Sequence, residues 1–160
     1  MRTHGRWRSF LALAVSLALV AAVSAAGSLV TVPKISGWYA ALAKPAFNPP
    51  AWVFGPVWST LYVLMAVAAW RIWSMTGPRR VEALWLYGAQ LALNAAWSQV
   101  FFGLERPGWA LAVILALLAT VAVTTWRFWS IDRIAGWLML PYVAWVAFAS
   151  VLNGTIVRLN

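Results

Sequence analysis

The sequence predicts an all-α integral membrane protein, a bundle of five transmembrane helices that forms one domain over residues 1–160. Hydrophobic residues make up 64% of the chain and charged residues only 9%, whereas about 25% of a soluble domain is charged. Five apolar stretches are each long enough to cross a bilayer, which takes about 20 helical residues. The acidic residues lie near the ends of these stretches or between them: Glu82, Glu105 and Asp132.

The first predicted span covers residues 10–32 and follows an arginine-rich tail. The second covers 51–74 and follows a proline-rich segment, 44–50, that cannot be regular helix because proline lacks a backbone donor. The third covers 81–102, after Gly77-Pro78. The fourth, 107–129, opens with Pro107, which suits a first helical turn. The fifth covers 134–159.

The first span has an alternative interpretation as a secretory signal peptide. Its arginine-rich start, its apolar run and the small residues at Val23-Ser24-Ala25 are typical of a cleavable leader. The apolar character continues beyond Ala26, which favours a retained helix.

The basic residues predict the orientation. With five spans, one side of the membrane receives eight of them: Arg2, Arg6, Arg8, Arg71, Arg79, Arg80, Arg127 and Arg133. The other side receives Lys34, Lys44, Arg106 and Arg158. Because cytoplasmic loops carry the excess of Lys and Arg, we expect a cytoplasmic N-terminus. Basic residues scattered over span ends serve lipid headgroups, so the net charge of +9 does not indicate nucleic acid.

The composition excludes most conventional catalytic and metal chemistry. The chain has no Cys, and its single His, His4, lies in the N-terminal tail. No carboxylate falls inside a predicted span, so acid–base catalysis at membrane depth has no candidate residue. We therefore expect no metal site, no required cofactor and no catalytic residue of the acid–base kind.

Three spans each carry an aromatic and polar stripe. Trp58 and Tyr62 are four residues apart and share a helix face. The other two stripes follow spacings of three and four residues: Gln90, Asn94 and Trp97 on span three, and Pro141, Trp145, Ala149 and Asn153 on span five. Such stripes serve either helix packing through amide hydrogen bonds or a cavity for a flat ligand. The small pair Gly88 and Ala92 similarly indicates a packing face, within the chain or in a homodimer.

Four blocks of the sequence resemble one known family. They comprise Gly37-Trp38-Tyr39 through Tyr62, Gly88 through Gly103, Gly108 through Ala112, and Pro141 through Asn153. Together they are similar to the tryptophan-rich sensory protein family (TspO/MBR), whose mitochondrial members are called translocator protein or peripheral benzodiazepine receptor. The resemblance covers the chain from about Gly37 to its C-terminus, and the first span by position.

The resemblance implies a five-helix bundle, often dimeric, with a pocket walled mainly by spans one, two and five and closed by the connection after span one. By position it places eight ligand-binding residues: Trp38, Tyr39, Trp58, Tyr62, Asn94, Trp97, Trp145 and Ala149. Family ligands include porphyrins and haem-type tetrapyrroles, and sterols or synthetic drugs in some members. The expected role is thus a sensory or translocator-type protein that binds porphyrin or haem.

Two alternative functions remain open. In some bacterial members, the residues matching Trp58 and Trp145 are linked to light-dependent porphyrin breakdown, which would make the chain a photo-oxidising enzyme. The other alternative is a transporter of tetrapyrroles or other lipophilic molecules, although the spans lack ionisable groups for proton coupling. The C-terminal segment lacks the Tyr of the sterol-recognition pattern, which argues against cholesterol. The absence of Cys and the short C-terminal end favour a bacterial inner-membrane protein over a mitochondrial one.

The ligand chemistry gives two further expectations. Propionate arms of a porphyrin would meet Lys34 or Lys44 in the connection that closes the pocket. The core offers no His or Cys to ligate haem iron, only weak candidates such as Met65, Met75 and Met139. Metal-free porphyrin should therefore bind about as well as haem.

Overall fold

The computed structural model describes residues 5–160, without the side chain of Arg6; the predictions for Arg2, Arg6 and His4 lie outside this description. The described residues form six α-helices: α1 Arg6–Ile35, α2 Trp38–Ala41, α3 Ala51–Trp73, α4 Arg79–Ser98, α5 Pro107–Ile131 and α6 Arg133–Leu159. A π-helical turn, Gln99–Gly103, continues α4, and this part of the chain contains no strand. The structure thus has one helix more than predicted, because the connection after α1 contains the four-residue α2.

Four helices are long and apolar enough to cross a membrane: Trp7–Ile35, Ala51–Trp73, Pro107–Ile131 and Arg133–Leu159. The structure and sequence thus agree on an all-α, multi-pass membrane protein. Helix α4 has 20 residues and does not belong to this set. Its first turn carries Arg79, Arg80 and Glu82, and Gln90 and Asn94 lie farther along, so its average hydropathy is lower.

The ends of the helices follow from local chemistry. Pro107 occupies the first turn of α5, where its missing N–H costs no hydrogen bond. Asp132 alone separates α5 from α6, and its side chain caps α6 by accepting a hydrogen bond from the backbone N–H of Ile134 at 3.0 Å. Gly77 has a φ of 109°, which lets the chain turn between α3 and α4.

Small residues bring the helices close together. Helix α5 packs against α4 and α6, and α3 packs against α1 and α6, while α1 also contacts α4. The buried core contains several alanines that shorten the distance between helix backbones: Ala66, Ala68, Ala69, Ala83, Ala110 and Ala135. One buried hydrogen bond joins α1 to α3, from the hydroxyl of Ser16 to the carbonyl oxygen of Ala66 at 2.9 Å.

Ion pairs link neighbouring helices or connections at each end of the bundle. At the amino-terminal end, where α1 begins, Arg71 pairs with Asp132 at 2.6 Å and Arg127 pairs with Glu82 at 2.8 Å. At the opposite end, which we call the lid end, Lys34 pairs with Glu105 at 2.6 Å. Because the chain has three Asp and Glu residues, these pairs use every acidic side chain.

Candidate functional site

The short helix α2 lies on the π-helical turn at the lid end. The indole ring of Trp38 meets the rings of Phe101 and Phe102 edge-on, with centroids 5.6 and 6.3 Å apart. Tyr39 contacts the same two rings at 6.2 and 5.5 Å. Both phenylalanines are buried, because the wide π-helical turn directs consecutive residues inward. Trp38 and Tyr39 therefore cover Phe101 and Phe102.

Hydrogen bonds stabilise the connection between α1 and α3, residues 36–50, which we call the lid connection. The hydroxyl of Tyr39 donates to the side-chain oxygen of Asn48 at 2.9 Å. The ammonium group of Lys44 donates to the carbonyl oxygens of Tyr39, Ala40 and Leu42 at 2.8, 3.0 and 2.8 Å. Burial raises the pKa of Tyr39 above its ordinary value, and the hydrogen bond to Asn48 only partly offsets this rise. Tyr39 is therefore a neutral donor at physiological pH.

Asn160 forms hydrogen bonds to the backbone of the lid connection. The side-chain oxygen of Asn160 accepts from the backbone N–H of Ala43 at 3.0 Å, and its amide nitrogen donates to the carbonyl oxygen of Ala43 at 3.0 Å. The same nitrogen also donates to the carbonyl oxygen of Ile156. Nothing in the sequence pattern indicated this clamp, because the two residues are far apart along the chain.

Helices α3 and α6 bring Trp58 and Trp145 to one interface. The ring of Trp58 lies 5.4 Å from Tyr62 and 6.2 Å from Tyr142. The ring of Trp145 lies 5.9 Å from Phe54, one turn before Trp58 on α3. Both tryptophans are half-buried, and neither indole N–H has a hydrogen-bond partner among residues 5–160. Both tryptophans therefore lie between α3 and α6 with an indole N–H that no described residue accepts.

Asn94 of α4 links α3 and α6 through two side-chain hydrogen bonds. The hydroxyl of Tyr62 donates to the side-chain oxygen of Asn94 at 2.9 Å, and the amide nitrogen of Asn94 donates to the hydroxyl of Tyr142 at 2.9 Å. All three side chains are buried. Tyr142 was not among the predicted site residues, although its position three residues before Trp145 places it on the same side of α6.

The indole N–H of Trp97, unlike those of Trp58 and Trp145, has a hydrogen-bond partner. Its indole N–H donates to the side-chain oxygen of Asn153 at 3.0 Å, and the amide nitrogen of Asn153 donates to the carbonyl oxygen of Pro107 at 2.9 Å. The ring of Trp97 stacks on Phe101 at 5.2 Å. Ala149 is half-buried and packs against the core beside Trp145. These contacts link α4, α5 and α6 at the lid end.

These aromatic residues belong to two packed groups that share Trp97, and we call them together the aromatic cluster: Trp38, Tyr39, Phe54, Trp58, Tyr62, Trp97, Phe101, Phe102, Tyr142, Trp145 and Phe148. It contains six of the eight predicted ligand-binding residues; Asn94 forms hydrogen bonds to its Tyr62 and Tyr142, and Ala149 packs beside it. Its members come from α2, α3, the α4–π-helical segment and α6. Val30 of α1 packs against it from the side.

A cavity of about 740 Å³ lies elsewhere, between α1, α3 and α4, and none of the eight predicted residues lines it. Its lining residues extend along α1 from Arg8 to Val23 and along α4 from Leu84 to Ala95. Among the described residues, no group of three or more His, Cys, Asp or Glu side chains could hold a metal ion.

Comparisons with known proteins agree with the resemblance found in the sequence. The model of the TspO/MBR family matches residues 14–159. The chain is 42% identical over 147 residues to the tryptophan-rich sensory protein of Cereibacter sphaeroides, covering 92% of each chain. It is 43% identical over 126 residues to the translocator protein of Homo sapiens, covering 77% of this chain and 75% of the relative. The tryptophan-rich protein TspO of Chlorobaculum tepidum is 38% identical over 156 residues, with 96% and 98% covered.

Proposed function

The chain belongs to the TspO/MBR family, and on this premise we propose that it is a membrane protein of the sensory or translocator type that binds porphyrin or haem in its aromatic cluster. The observation that supports the proposal is that both tryptophans lie at the α3–α6 interface, where Trp58 contacts Tyr142 and Trp145 contacts Phe54. A tetrapyrrole is a wide aromatic plate, and each ring stacked on it adds about 0.5–1.5 kcal/mol beyond the burial of area.

Binding requires the lid to move. The rings of the aromatic cluster contact one another, and Trp38 and Tyr39 cover Phe101 and Phe102. A plate that enters between α3 and α6 replaces some of these ring contacts with contacts to itself. Its propionate groups would then take over the Lys44 donors that bind the carbonyl oxygens of α2, or the Lys34 ammonium that pairs with Glu105.

Titration of the purified full chain with protoporphyrin IX and with haem, followed by absorbance and tryptophan quenching, tests this function. We expect similar affinities for the two ligands, because the cluster has no His or Cys to bind iron. Trp58→Leu and Trp145→Leu should each weaken binding by about twofold to tenfold, since each removes one stacking ring. Trp109→Leu, an exposed tryptophan at the start of α5, is the control. Equal binding by all four proteins would contradict the proposed site.

A second function, photo-oxidation of bound porphyrin, is favoured by a different observation. Trp58 lies within 6.2 Å of two tyrosines, Tyr62 and Tyr142, so an electron that it gives to an excited ring can be replaced by a neighbour. Bleaching of protoporphyrin IX in light but not in darkness would support this function. It should require dioxygen as the oxidant, and it should disappear in Trp58→Phe and Trp145→Phe while binding is retained.

We also propose that α4 with its π-helical turn is a fifth span, so that the N-terminus faces the cytoplasm of a bacterium and the C-terminus the other side of its inner membrane. The lengths of the helices and the excess of arginine at the amino-terminal end support this arrangement. Because the chain has no Cys, single cysteines can be placed at Thr76 and at Ala46 for labelling from outside the cell. Only the cysteine at position 46 should react; labelling at position 76 alone would reverse the orientation. The homodimer predicted from the family resemblance stays a prediction.

A further inference from the structure

The helix α2 is too short to be stable through its own backbone hydrogen bonds. It has four residues, Trp38–Ala41, whereas isolated helices shorter than about 12 residues are marginal in water. The backbone hydrogen bonds at its two ends are long, 3.2 Å from the N–H of Ala41 to the carbonyl oxygen of Gly37 and 3.4 Å from the N–H of Leu42 to that of Tyr39. The formation of α2 therefore depends on contacts that side chains make with it.

The ammonium group of Lys44 binds the carbonyl end of α2. It lies 2.8, 3.0 and 2.8 Å from the carbonyl oxygens of Tyr39, Ala40 and Leu42. A cation stabilises the C-terminus of a helix because the last carbonyl groups have no partners within the helix. An ammonium group has three N–H donors, so these three hydrogen bonds use all of them. A carboxylate can thus bind Lys44 only by displacing a carbonyl oxygen of this segment.

Lys44 also has no carboxylate partner within the described chain. The acidic side chains pair with Lys34, Arg71 and Arg127. At Lys34, the carboxylate of a ligand would come close to that of Glu105, and like charges repel. At Lys44 it would replace a neutral carbonyl group, and a hydrogen bond between two ionised groups is stronger than one to a neutral acceptor. Lys44 is therefore the better site for the acidic group of a ligand.

The segment that Lys44 binds also contacts the aromatic cluster. The nitrogen of Lys44 lies 5.0 Å from the centroid of the Tyr39 ring, which covers the π-helical turn. The side chain of Leu42 packs in the same hydrophobic group as Phe148, which lies 5.5 Å from Trp145. A ligand between α3 and α6 would therefore have its edge close to the carbonyl end of α2.

We propose, on the premise that a porphyrin binds in the aromatic cluster, that Lys44 is a switch that responds to an acidic ligand. A propionate group takes the ammonium group from the carbonyl oxygens of residues 39–42, and α2 loses its C-terminal cap and unfolds. A neutral ring of the same shape binds without this exchange and leaves α2 folded. The lid connection thus has one conformation for a carboxylated tetrapyrrole and another for an uncharged one.

Hydrogen–deuterium exchange of the full chain in detergent, with protoporphyrin IX or its dimethyl ester, tests this switch. The ester has the same ring but no carboxylate, and tryptophan quenching sets both ligands to equal occupancy. The acid should then speed exchange of the amides of residues 39–43 by about tenfold or more, and the ester should not. Equal exchange with both bound ligands would overturn the switch while leaving the binding site intact. Binding of neither ligand would overturn the proposed function, and the switch with it.

Lys44→Met and Lys34→Met are a matched pair of variants, because each removes one ammonium group at the lid end and keeps an unbranched side chain. In Lys44→Met, amides 39–43 should exchange fast without a ligand, and protoporphyrin IX should cause no further increase. Lys34→Met should respond to the acid as the unmodified chain does. Unchanged exchange in α5 and α6 is the control for folding. Loss of the response in Lys34→Met and its retention in Lys44→Met would place the acid at the Glu105 pair and overturn the proposal.

Discussion

The lid end and the amino-terminal end of the bundle fill the space between their helices in different ways. At the lid end, aromatic rings and amide side chains from α2, α3, α4 and α6 contact one another, and hydrogen bonds join several of their polar atoms. At the amino-terminal end, small residues of α4 leave a groove beside α1, with arginine at its mouth. The same all-helical scaffold thus provides a closed aromatic region and an open apolar one.

The largest expected effect on stability comes from Asn94, whose amide links two tyrosines of the aromatic cluster. Asn94→Leu removes the partner of both the Tyr62 and the Tyr142 hydroxyls while keeping the size of the side chain. Two buried hydroxyls without partners should lower the free energy of unfolding by about 2–4 kcal/mol. Thermal denaturation in detergent measures this change.

Gln90 provides the matched control for Asn94. It lies on the same face of α4 and is fully buried, but its side-chain oxygen has no hydrogen-bond partner among the described residues and its nitrogen reaches only the Met65 sulfur at 3.9 Å. Gln90→Met should therefore leave stability unchanged or raise it. A loss as large as that of Asn94→Leu would mean that the two amides are equivalent and that the hydrogen bonds of Asn94 are not the cause.

The next effect concerns the ion pair between Arg71 and Asp132. Burial opposes ionisation of Asp132, but hydrogen bonds from Arg71 and from the Ile134 backbone, with the charge of Arg71, outweigh it and hold the pKa of Asp132 below its ordinary value. Because the folded pKa is lowered, the pair contributes stability above the unfolded pKa of about 3.9 and loses it as the pH falls through the folded pKa.

Asp132→Asn should accordingly destabilise the protein by about 1.5–3 kcal/mol at neutral pH and abolish this part of the acid transition. Glu105→Gln, in the more exposed pair with Lys34, should cost less than about 1 kcal/mol. Denaturation curves from pH 3 to pH 7 compare the two variants. Equal losses for both would show that burial of the Arg71 pair adds nothing.

Alanine substitutions at Gly136 and at Gly88 compare a closely packed helix face with an open one. An added Cβ at Gly136 would lie 2.9 Å from the backbone of Trp129, whereas one at Gly88 meets nothing within 4 Å. Gly136→Ala should therefore destabilise by about 1–3 kcal/mol, and Gly88→Ala should stabilise by about 0.5–1 kcal/mol. Thermal midpoints that move in the same direction for both variants would contradict the difference between the two faces.

The smallest expected effect on stability is that of the C-terminal clamp. Asn160→Ala removes the two hydrogen bonds to Ala43 and should cost about 0.5–1 kcal/mol, because they lie at an exposed surface. Since the clamp fastens the lid connection, the rate of protoporphyrin binding in stopped-flow experiments should rise. A change in stability without a change in the rate of binding would show that the hydrogen bonds between Asn160 and Ala43 do not limit lid opening.

The helices could be predicted from the sequence because each is a long apolar stretch bounded by charged residues, proline or glycine. The short helix α2 could not be predicted, because four residues carry no periodic pattern. The π-helical turn also escaped prediction, since Phe101 and Phe102 continue the apolar pattern of α4 without a break.

Some features of the candidate site could likewise be predicted from the sequence, and others could not. Spacing placed Trp58 with Tyr62 and Asn94 with Trp97 on common faces, but their partners on other helices, Tyr142 and Asn153, follow from helix packing. The assignment of Lys44 to a ligand did not foresee its hydrogen bonds to three carbonyl oxygens of the lid connection. The groove at Gly88 was foreseen only as a packing face, because a sequence records small residues but not the space that they leave.

The burial of Phe101 and Phe102 depends on the number of residues in the π-helical turn. In an α-helix, neighbouring side chains point about 100° apart, whereas the wider π-helical turn brings the directions of consecutive side chains closer together. The additional residue in the loop of Gln99–Gly103 widens the turn, and both Phe101 and Phe102 are buried. Loss of one residue from this turn would restore regular helix and rotate one phenyl group out to the acyl chains. The chain length between Asn94 and Pro107 is therefore itself a determinant of the surface on which the lid rests.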